Sequence, residues 1–309
     1  MLSALSYIVL ATIRLGTPIA ITAMGATISE RTGILNIGLE GIMSMGAFLA
    51  VLGSYWTGNP WFGVLLAVLV GVVISAIHGF VSIVCGGAQG VSSQALVLLA
   101  TGFCSVGLQA IFGQKGMSST VNTIATTEFL RPIPLVGNIL ADFSPIVYIA
   151  LILLFVCNFV LFKTPLGLRM CACGEHPRAA ETAGINVGAM RFLGVLISGF
   201  LGGLAGAFLS VGQMNLFQEG MVAGRGYLAM GAIIMGRWTP TGAFAAAMCF
   251  GFFDAVQLYI QIIPNSPIPH EFVQMIPYVA SLIVLALTIK GATGPAASGQ
   301  PYSKISGTR

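Results

Sequence analysis

Charged side chains are scarce in this chain of 309 residues: Asp, Glu, Lys and Arg make up 7% of it, whereas 56% is hydrophobic. The mean hydropathy of +0.94 leaves too little polar surface to cover a water-soluble globule. The lack of charge therefore excludes an ordinary soluble domain and predicts a protein that is embedded in lipid.

Clusters of basic residues are also missing, although the net charge is +4. The thirteen Lys and Arg residues are spread among the ends of apolar runs, so they reflect membrane topology and indicate no nucleic-acid partner. The six cysteines lie mostly within apolar runs, where a thiol behaves as a small hydrophobic group. We therefore expect no disulfide framework.

Catalytic motifs are absent from the sequence as well. None of the four lysines follows the glycine-rich pattern of a nucleotide-binding P-loop, and no Gly-x-Ser-x-Gly motif occurs. His270 and Glu271 begin a zinc-protease pattern, but Gln274 stands where the second histidine is needed. Residues 171–176 hold two cysteines and a histidine without a fourth metal ligand nearby. We expect no enzyme activity, metal or cofactor in this chain.

Long and continuous apolar runs dominate what is present. Because lipid offers no hydrogen bonds to the backbone, such runs must form helices. The first run ends on Ser29-Glu30-Arg31 without a cleavage pattern, so we interpret it as part of the mature protein. The candidate spans are residues 5–28, 37–55, 61–84, 91–112, 146–162, 192–211, 227–235, 244–263 and 272–289.

These runs predict an all-α, polytopic membrane protein with about 8–10 transmembrane helices. Residues 1–290 are expected to form the transmembrane domain, and residues 291–309 a flexible cytosolic tail. The run 227–235 is too short to span a membrane alone, and residues 32–38 interrupt the chain in a similar way. Short or broken helices of this kind lie beside the central cavity of transporters.

Small residues recur in two informative patterns. Residues 41–47 and 226–232, each just after a break, resemble one another, as pseudo-symmetric halves would. The alternative is that small residues recur in any packed membrane helix. In residues 198–206, Gly202 and Gly206 lie four positions apart and allow a neighbouring backbone to approach closely. This helix should therefore be packed centrally.

Two long connections differ in their charge. The loop 163–191 contains four basic residues and the loop 114–144 only two, so the positive-inside rule places 163–191 in the cytosol. Within it, Pro177 fits the first turn of a helix, residues 179–181 favour the helix, and Gly184 ends it. This short helix is either a lever for a partner protein or an ordinary amphipathic linker.

Three parts of the sequence carry a resemblance to a known family. They are residues 28–41 (ISERTGILNIGLEG), residues 174–185 (GEHPRAAETAGI), and residues 224–227 (GRGY) leading to 236–242 (GRWTPTG). Nearly the whole chain resembles the membrane permease subunits of ATP-binding cassette (ABC) importers, in the group that includes the ribose, branched-chain amino acid and nucleoside systems. Family members usually have Asn in place of His176 and Phe in place of Tyr227.

The resemblance implies that residues 175–184 form the coupling helix, which seats on a separate cytosolic ATPase that uses ATP and Mg. Arg169, Glu175 and Arg178 are then the expected polar contacts. The full set of expected coupling residues is Arg169, Glu175, Pro177, Arg178, Ala179, Ala180 and Gly184.

The opposite long loop is similar to the surface on which such permeases dock a periplasmic or lipid-anchored substrate-binding protein. The expected contacts are Glu128, Arg131 and Asp142, and the alternative is a passive surface loop. The resemblance also implies a second permease subunit, identical or related, in the plasma (inner) membrane of a bacterium.

Polar residues within the apolar runs are costly in hydrocarbon and usually face a cavity or a partner. The candidate pathway residues are Asn36, Glu40, Gln94, Gln213, Asn215 and Arg225, with Gln109 and Asp254 as further intramembrane polar groups. As an alternative, Glu40 and Arg225 form a buried structural pair that bridges the two breaks.

The segment 28–41 is most similar to the nucleoside branch of the family, in which an amide and a carboxylate are usual at the places of Asn36 and Glu40. Nucleosides are therefore the expected substrate, with simple sugars second and branched-chain amino acids third. A secondary transporter that couples ions through Glu40, Asp254 or Arg225 is an alternative from a different class. An intramembrane enzyme is a third and remote one.

Overall fold

The computed structural model describes residues 2–127, 141–262, 269–288 and 293–302. Regular elements in these ranges are helices, apart from one isolated β-bridge between Met117 and Gln218. The helices are α1 (Leu2–Arg31), α2 (Leu39–Thr57), α3 (Pro60–Gly79), α4 (Gln89–Phe112), α5 (Pro145–Lys163), α6 (Pro165–Glu175), α7 (Pro177–Thr182), α8 (Val187–Ala207), α9 (Arg225–Met235), α10 (Pro240–Ile262) and α11 (His270–Thr288). π-Helical turns extend α3 through Phe80–Val84 and α8 through Phe208–Gln213.

Seven of the described helices, α1 to α5, α8 and α10, are long and apolar enough to cross a membrane. The expected short segment is α9, which has 11 residues. Residues Phe272–Val284 of α11 form a second shorter apolar helix. The chain is an all-α, multi-pass membrane protein, as predicted, and its seven long and two shorter apolar helices fall within the expected number.

Local sequence chemistry sets the start of several helices. The side chains of Asn59, Thr164 and Asn186 accept backbone N–H bonds at the starts of α3, α6 and α8. Pro60 and Pro165 occupy the first positions of α3 and α6, where no N–H partner is needed. These helices therefore begin where residues of the connecting segments satisfy the free N–H groups.

Helix α8 lies at the centre of the bundle and packs against α1, α2 and α3. A Cβ atom added at Gly203 would lie 2.3 Å from the carbonyl oxygen of Ala67 in α3, and one at Gly206 would lie 2.2 Å from that of Met43 in α2. The backbones are thus in direct contact, which confirms the predicted central position of this helix.

The two predicted breaks are confirmed, and the structure brings them together. The first lies between α1 and α2, where Gly33 has a φ of 96°. The second precedes α9. A Cβ atom at Gly226, in the first turn of α9, would lie 2.6 Å from the Cα of Glu40 in the first turn of α2. The starts of α2 and α9 therefore touch.

Residues 293–302, which we call the strap, are held against the bundle. The N–H of Ala297 donates to the carbonyl of Gly174 (2.8 Å), and the N–H of Gly299 donates to that of Gly33 (3.3 Å). Ala297 itself is buried. The expectation of a flexible tail did not include these contacts, in which backbone hydrogen bonds hold a segment that has no apolar stripe.

The contact at Gly203 gives a first prediction. Gly203→Ala places a methyl group against the Ala67 carbonyl, so we expect a loss of about 1–3 kcal/mol of stability from overpacking. Thermal denaturation of the purified protein measures this loss. Gly188→Ala in the same helix is the matched control, because its Cβ meets its nearest neighbour at an ordinary 3.6 Å. Equal melting temperatures of the two variants would contradict the central packing.

Candidate functional site

Glu40 joins the two breaks through its carboxylate. One oxygen accepts from the N–H of Gly224 (2.9 Å), and the other accepts from the N–H of Gly226 (2.8 Å). These N–H groups lie at the start of α9, where helical partners are missing and the helix dipole is positive. The carboxylate therefore acts as the cap that the glycine at this position cannot supply.

The guanidinium of Arg225 binds backbone carbonyls and not the carboxylate of Glu40. Its Nη1 donates to the carbonyls of Met221 (3.0 Å) and Val222 (3.1 Å). Among the described residues, Arg31 and Glu175 form an ion pair (3.6 Å), and none within 4.0 Å joins Glu40 to Arg225. The alternative of a Glu40–Arg225 pair is thus not formed as a direct ion pair: the carboxylate bridges the two breaks by binding the backbone on either side of Arg225.

Asn36 is buried inside the first break. Its Oδ1 accepts from the N–H of Gly38 (3.1 Å), and its Nδ2 donates to the hydroxyl of Ser198 in α8 (3.4 Å). Both ends of the amide are therefore used to fix the turn, and the side chain does not reach the surface that carries Gln94.

A row of polar side chains runs along one face of α4. Gln94, Thr101, Ser105 and Gln109 are spaced by seven, four and four residues, which places them on one side of a helix. Three of them are exposed, and Ser105 is half-buried. The exposed Tyr227 of α9 donates its hydroxyl to Gln94 (3.4 Å). We call these five residues the polar row.

A cavity of about 560 Å³ lies at the end of the bundle opposite α7. It brings together Asp142, a candidate for docking, and Gln213, a candidate for the pathway. Arg14 connects them: its guanidinium donates to the carbonyl of Asp142 (3.0 Å), and its own carbonyl accepts from the Gln213 side chain. Asn215 lies nearby in the chain and is exposed. Glu128 and Arg131 lie outside the described residues.

Asp254 and Arg225 line a smaller cavity of about 210 Å³ together with Gln257 and Tyr278. This cavity lies on the side of α9 that faces α10 and α11. The structure thus separates these groups from the polar row, so the candidate pathway residues fall into more than one place.

The short helix that the sequence predicts is α7, and Gly184 follows it with a φ of 82°. Its expected coupling residues do not share one face. Arg169, Arg178, Ala179 and Gly184 are exposed, whereas Pro177 and Glu175 are half-buried. Ala180 is buried and packs against Cys173 and Val187. The exposed face of α7 is therefore centred on Arg178 and Ala179, and Ala180 anchors the helix.

Arg31, at the end of α1, connects this region to the turn between α9 and α10. Its Nε donates to the carbonyl of Trp238 (2.7 Å), and its Nη1 lies 3.6 Å from the carboxylate of Glu175. The Trp238 indole N–H in turn donates to Glu30. Arg237 and Trp238 both have a φ of 52°, a backbone conformation that non-glycine residues rarely adopt.

The strap closes over the same region. Arg191 donates to the carbonyl of Gln300 (3.0 Å), and its guanidinium carbon lies 5.6 Å from the centre of the Tyr302 ring. The hydroxyl of Tyr302 donates to Glu181 of α7, and this bond raises the pKa of Tyr302. The N–H of Ala296 donates to Glu175 (3.3 Å).

The cysteines near α7 are poor metal ligands in this arrangement. Burial raises the pKa of Cys171 and of Cys173, which favours the neutral thiol over the thiolate that binds metal. In the ranges that the structure describes, no group of three or more His, Cys, Asp or Glu residues could hold a metal ion.

Sequence reasoning missed several residues of this site. Arg31 and Trp238 lie in segments that carry the family resemblance, so a signal for them existed. Thr101 and Ser105 follow from the helical spacing of Gln94 and Gln109. No sequence signal indicates the contact of the strap, because it depends on backbone groups.

Interrupted helices that meet within an apolar bundle, beside an exposed polar row, are typical of membrane transporters. The chain belongs to the family of permease components of branched-chain amino acid transport systems, which it matches over residues 8–289.

Three curated relatives are similar over most of their length. The guanosine ABC transporter permease protein NupQ of Bacillus subtilis is 38% identical over 97% of both chains. The nucleoside ABC transporter permease protein NupC of Lactococcus lactis is 37% identical over 93% of this chain and 94% of its own. The putative glucose ABC transporter permease protein TsgC13 of Haloferax volcanii is 32% identical over 90% of both. No solved structure matches the chain.

The cap at α9 gives a second prediction. Glu40→Ala removes the acceptor of two N–H groups, and we expect a loss of about 1.5–3 kcal/mol per charged hydrogen bond, seen as a lower melting temperature of the purified protein. Glu40→Gln keeps one acceptor oxygen, so its melting temperature should lie between those of the wild type and Glu40→Ala. Glu219→Ala, an exposed acidic residue before α9, is the control and should change stability by less than about 0.5 kcal/mol. A melting temperature of Glu40→Ala equal to that of Glu219→Ala would refute the capping role.

Proposed function

We propose that the chain forms the translocation pathway of an ABC importer for nucleosides. The observation that carries this proposal is the similarity, over nearly the whole chain, to two permeases named for guanosine and for nucleosides. Simple sugars are the second candidate, because a permease named for glucose is 32% identical. Branched-chain amino acids rank third and rest on the description of the family.

The ion-coupled alternative has less support from the geometry. Ion coupling needs a carboxylate that can exchange a cation, but both oxygens of Glu40 accept backbone N–H groups. Asp254 shares a cavity with the guanidinium of Arg225, whose positive charge opposes binding of a cation. These contacts favour a permease that another subunit drives.

A separate ATPase, which consumes ATP with Mg, is the proposed source of that drive. The proposal places α7 in the cytosol, with Arg178 and Ala179 directed towards the ATPase. Movement of α7 passes to Glu175, then through Arg31 to the backbone of Trp238 at the end of α9. Gly174 supports this route, since a Cβ there would lie 2.2 Å from the carbonyl oxygen of Arg31. Contacts that differ between two states of α7 shift the permease between two conformations.

The polar row is the proposed wall of the pathway. Exposed amide and hydroxyl groups in a transmembrane helix are costly against lipid, so they favour water or a second permease subunit, identical or related. At the other end, the cavity around Arg14, Asp142 and Gln213 is the proposed place for the substrate-binding protein.

Uptake in cells tests the importer and its cargo. We expect deletion of the gene to abolish uptake of labelled guanosine, adenosine and cytidine, and the intact chain with its native neighbours to restore it. Uptake should stop when ATP is depleted while the ion gradient is kept. Loss of glucose or leucine uptake instead would overturn the choice of cargo, and no loss at all would overturn the importer.

The coupling role of α7 is tested by adding bulk to its exposed face. Ala179→Trp should leave the melting temperature unchanged but prevent the ATPase from copurifying and abolish uptake, because the side chain is exposed and projects into the proposed seat. Ala189→Trp, also exposed but in α8, is the matched control and should retain the ATPase. Retention of the ATPase by both variants would refute the assignment.

Labelling of introduced cysteines tests the pathway. In a background without the native cysteines, Thr101→Cys and Gln109→Cys should react with a membrane-impermeant thiol reagent, since the polar row faces water in this proposal. Leu99→Cys, on the opposite side of α4, is exposed in the monomer but should be shielded by lipid. Equal labelling of positions 99 and 101 would contradict the proposed wall.

A further inference from the structure

The strap contacts several separate elements along its length. At its beginning, Gly294 lies against the ring of Trp238, so that an added Cβ would lie 2.8 Å from Cζ2. In the middle, the N–H of Ala297 donates to Gly174 of α6, and the N–H of Gly299 donates to Gly33 in the first break. At its end, Tyr302 is bonded to Glu181 of α7. One segment therefore touches the turn after α9, the break between α1 and α2, and α7.

Most of these bonds use backbone groups of the strap, so its fit depends little on its side chains. Tyr302 is the exception. Its hydroxyl binds Glu181 and its ring lies over the guanidinium of Arg191, so it holds the strap to both α7 and α8. It is the one strap residue for which the structure describes bonds from its side chain to α7.

A cavity of about 470 Å³ separates α7 from the strap. Pro177, Arg178 and Ala179 line one side of it, and Ala297 and Gln300 line the other. Pro177, Arg178 and Ala179 therefore face this cavity, whereas Ala180 packs against Val187 at the start of α8. Helix α7 is held by the buried side chain of Ala180 and by its bond to the strap. A displacement of α7 therefore also pulls on the strap.

The strap packs over a buried charge, and the cost of burying that charge reduces the stability of its contacts. Arg191 is 2% exposed, and its Nε and Nη2 have no hydrogen-bond partner among the described residues. Burying a charged donor without a partner costs free energy, which the Gln300 carbonyl and the Tyr302 ring offset in part. Small changes at Tyr302 should therefore have a measurable effect on how the strap is held.

We propose that the strap is the link that carries movement of α7 to the first helix break and to the turn after α9, and that Tyr302 is the positioning residue that fastens it to α7. This inference rests on the proposed function. Without the bond to Tyr302, α7 still presents Arg178 and Ala179, so the ATPase still binds. Its movement then reaches the first break and the turn after α9 without the strap, through Glu175 and Arg31.

The test uses the assembled transporter, with its ATPase and second permease, in vesicles of phosphatidylethanolamine and phosphatidylglycerol. Guanosine uptake and ATP hydrolysis are measured together, with the binding protein present. Tyr302→Ala should retain the ATPase and its hydrolysis, but guanosine moved per ATP should fall by about tenfold or more. Tyr302→Phe loses only the hydroxyl, and uptake per ATP should fall by about fivefold.

Gln300→Ala is the matched control, because the strap uses only the carbonyl of this residue towards Arg191, and it should behave as the wild type. Unchanged uptake per ATP in Tyr302→Phe and Tyr302→Ala would overturn the link. Loss of the ATPase from Tyr302→Ala would also overturn it, because the strap would then belong to the docking surface. If Tyr302→Ala fails to fold, uptake per ATP of Tyr302→Phe, which keeps the ring, tests the link by itself. A wild-type complex that does not respond to guanosine would instead refute the proposed function, and this inference with it.

Discussion

The two bonds of the Glu40 carboxylate are the interaction on which both helix breaks depend. A helix that starts within a lipid bilayer leaves N–H groups that water cannot reach. Glu40 satisfies two of them at α9 while it lies in the first turn of α2. One negative charge therefore stabilises the positive ends of two helix dipoles, and this allows both helices to begin inside the bundle.

Glu40 fixes the start of α9, a helix of 11 residues. A different set of contacts holds its other end. That end leads into Arg237 and Trp238, whose backbone conformation stores strain of order 1 kcal/mol or more per residue. Arg31 and Glu30 hold this turn in place. A change in the contacts of Arg31 therefore acts on a turn whose backbone is strained.

The sequence predicted the features that depend on local chemistry. Apolar runs identified the spans, Pro177 and Gly184 bounded α7, and the spacing of Gly202 and Gly206 indicated a central helix. Each of these signals lies within a few residues of its structural effect. The acceptors of the N–H groups at α9 were not predictable in this way, because Glu40 is more than 180 residues away in sequence.

The same reason explains two contacts that the sequence did not indicate. Opposite charges suggested that Glu40 binds Arg225, but the backbone of residues 224–226 competes for the carboxylate and wins, since it lies at a helix start. The composition of the strap suggested flexibility, but composition does not report where backbone N–H groups find acceptors. The polar row lay within reach of sequence analysis, because Thr101 and Ser105 share the helical spacing of Gln94 and Gln109.

The position of the strap has a practical consequence for the production of this protein. An affinity tag or fluorescent protein fused after Arg309 is joined to the chain seven residues after Tyr302, whose hydroxyl donates to Glu181 of α7. Helix α1 begins at the opposite end of the bundle, near the cavity that contains Tyr7 and Arg14. Fusions at the N-terminus therefore lie far from α7, whereas those at the C-terminus follow a segment that is itself bonded to α7.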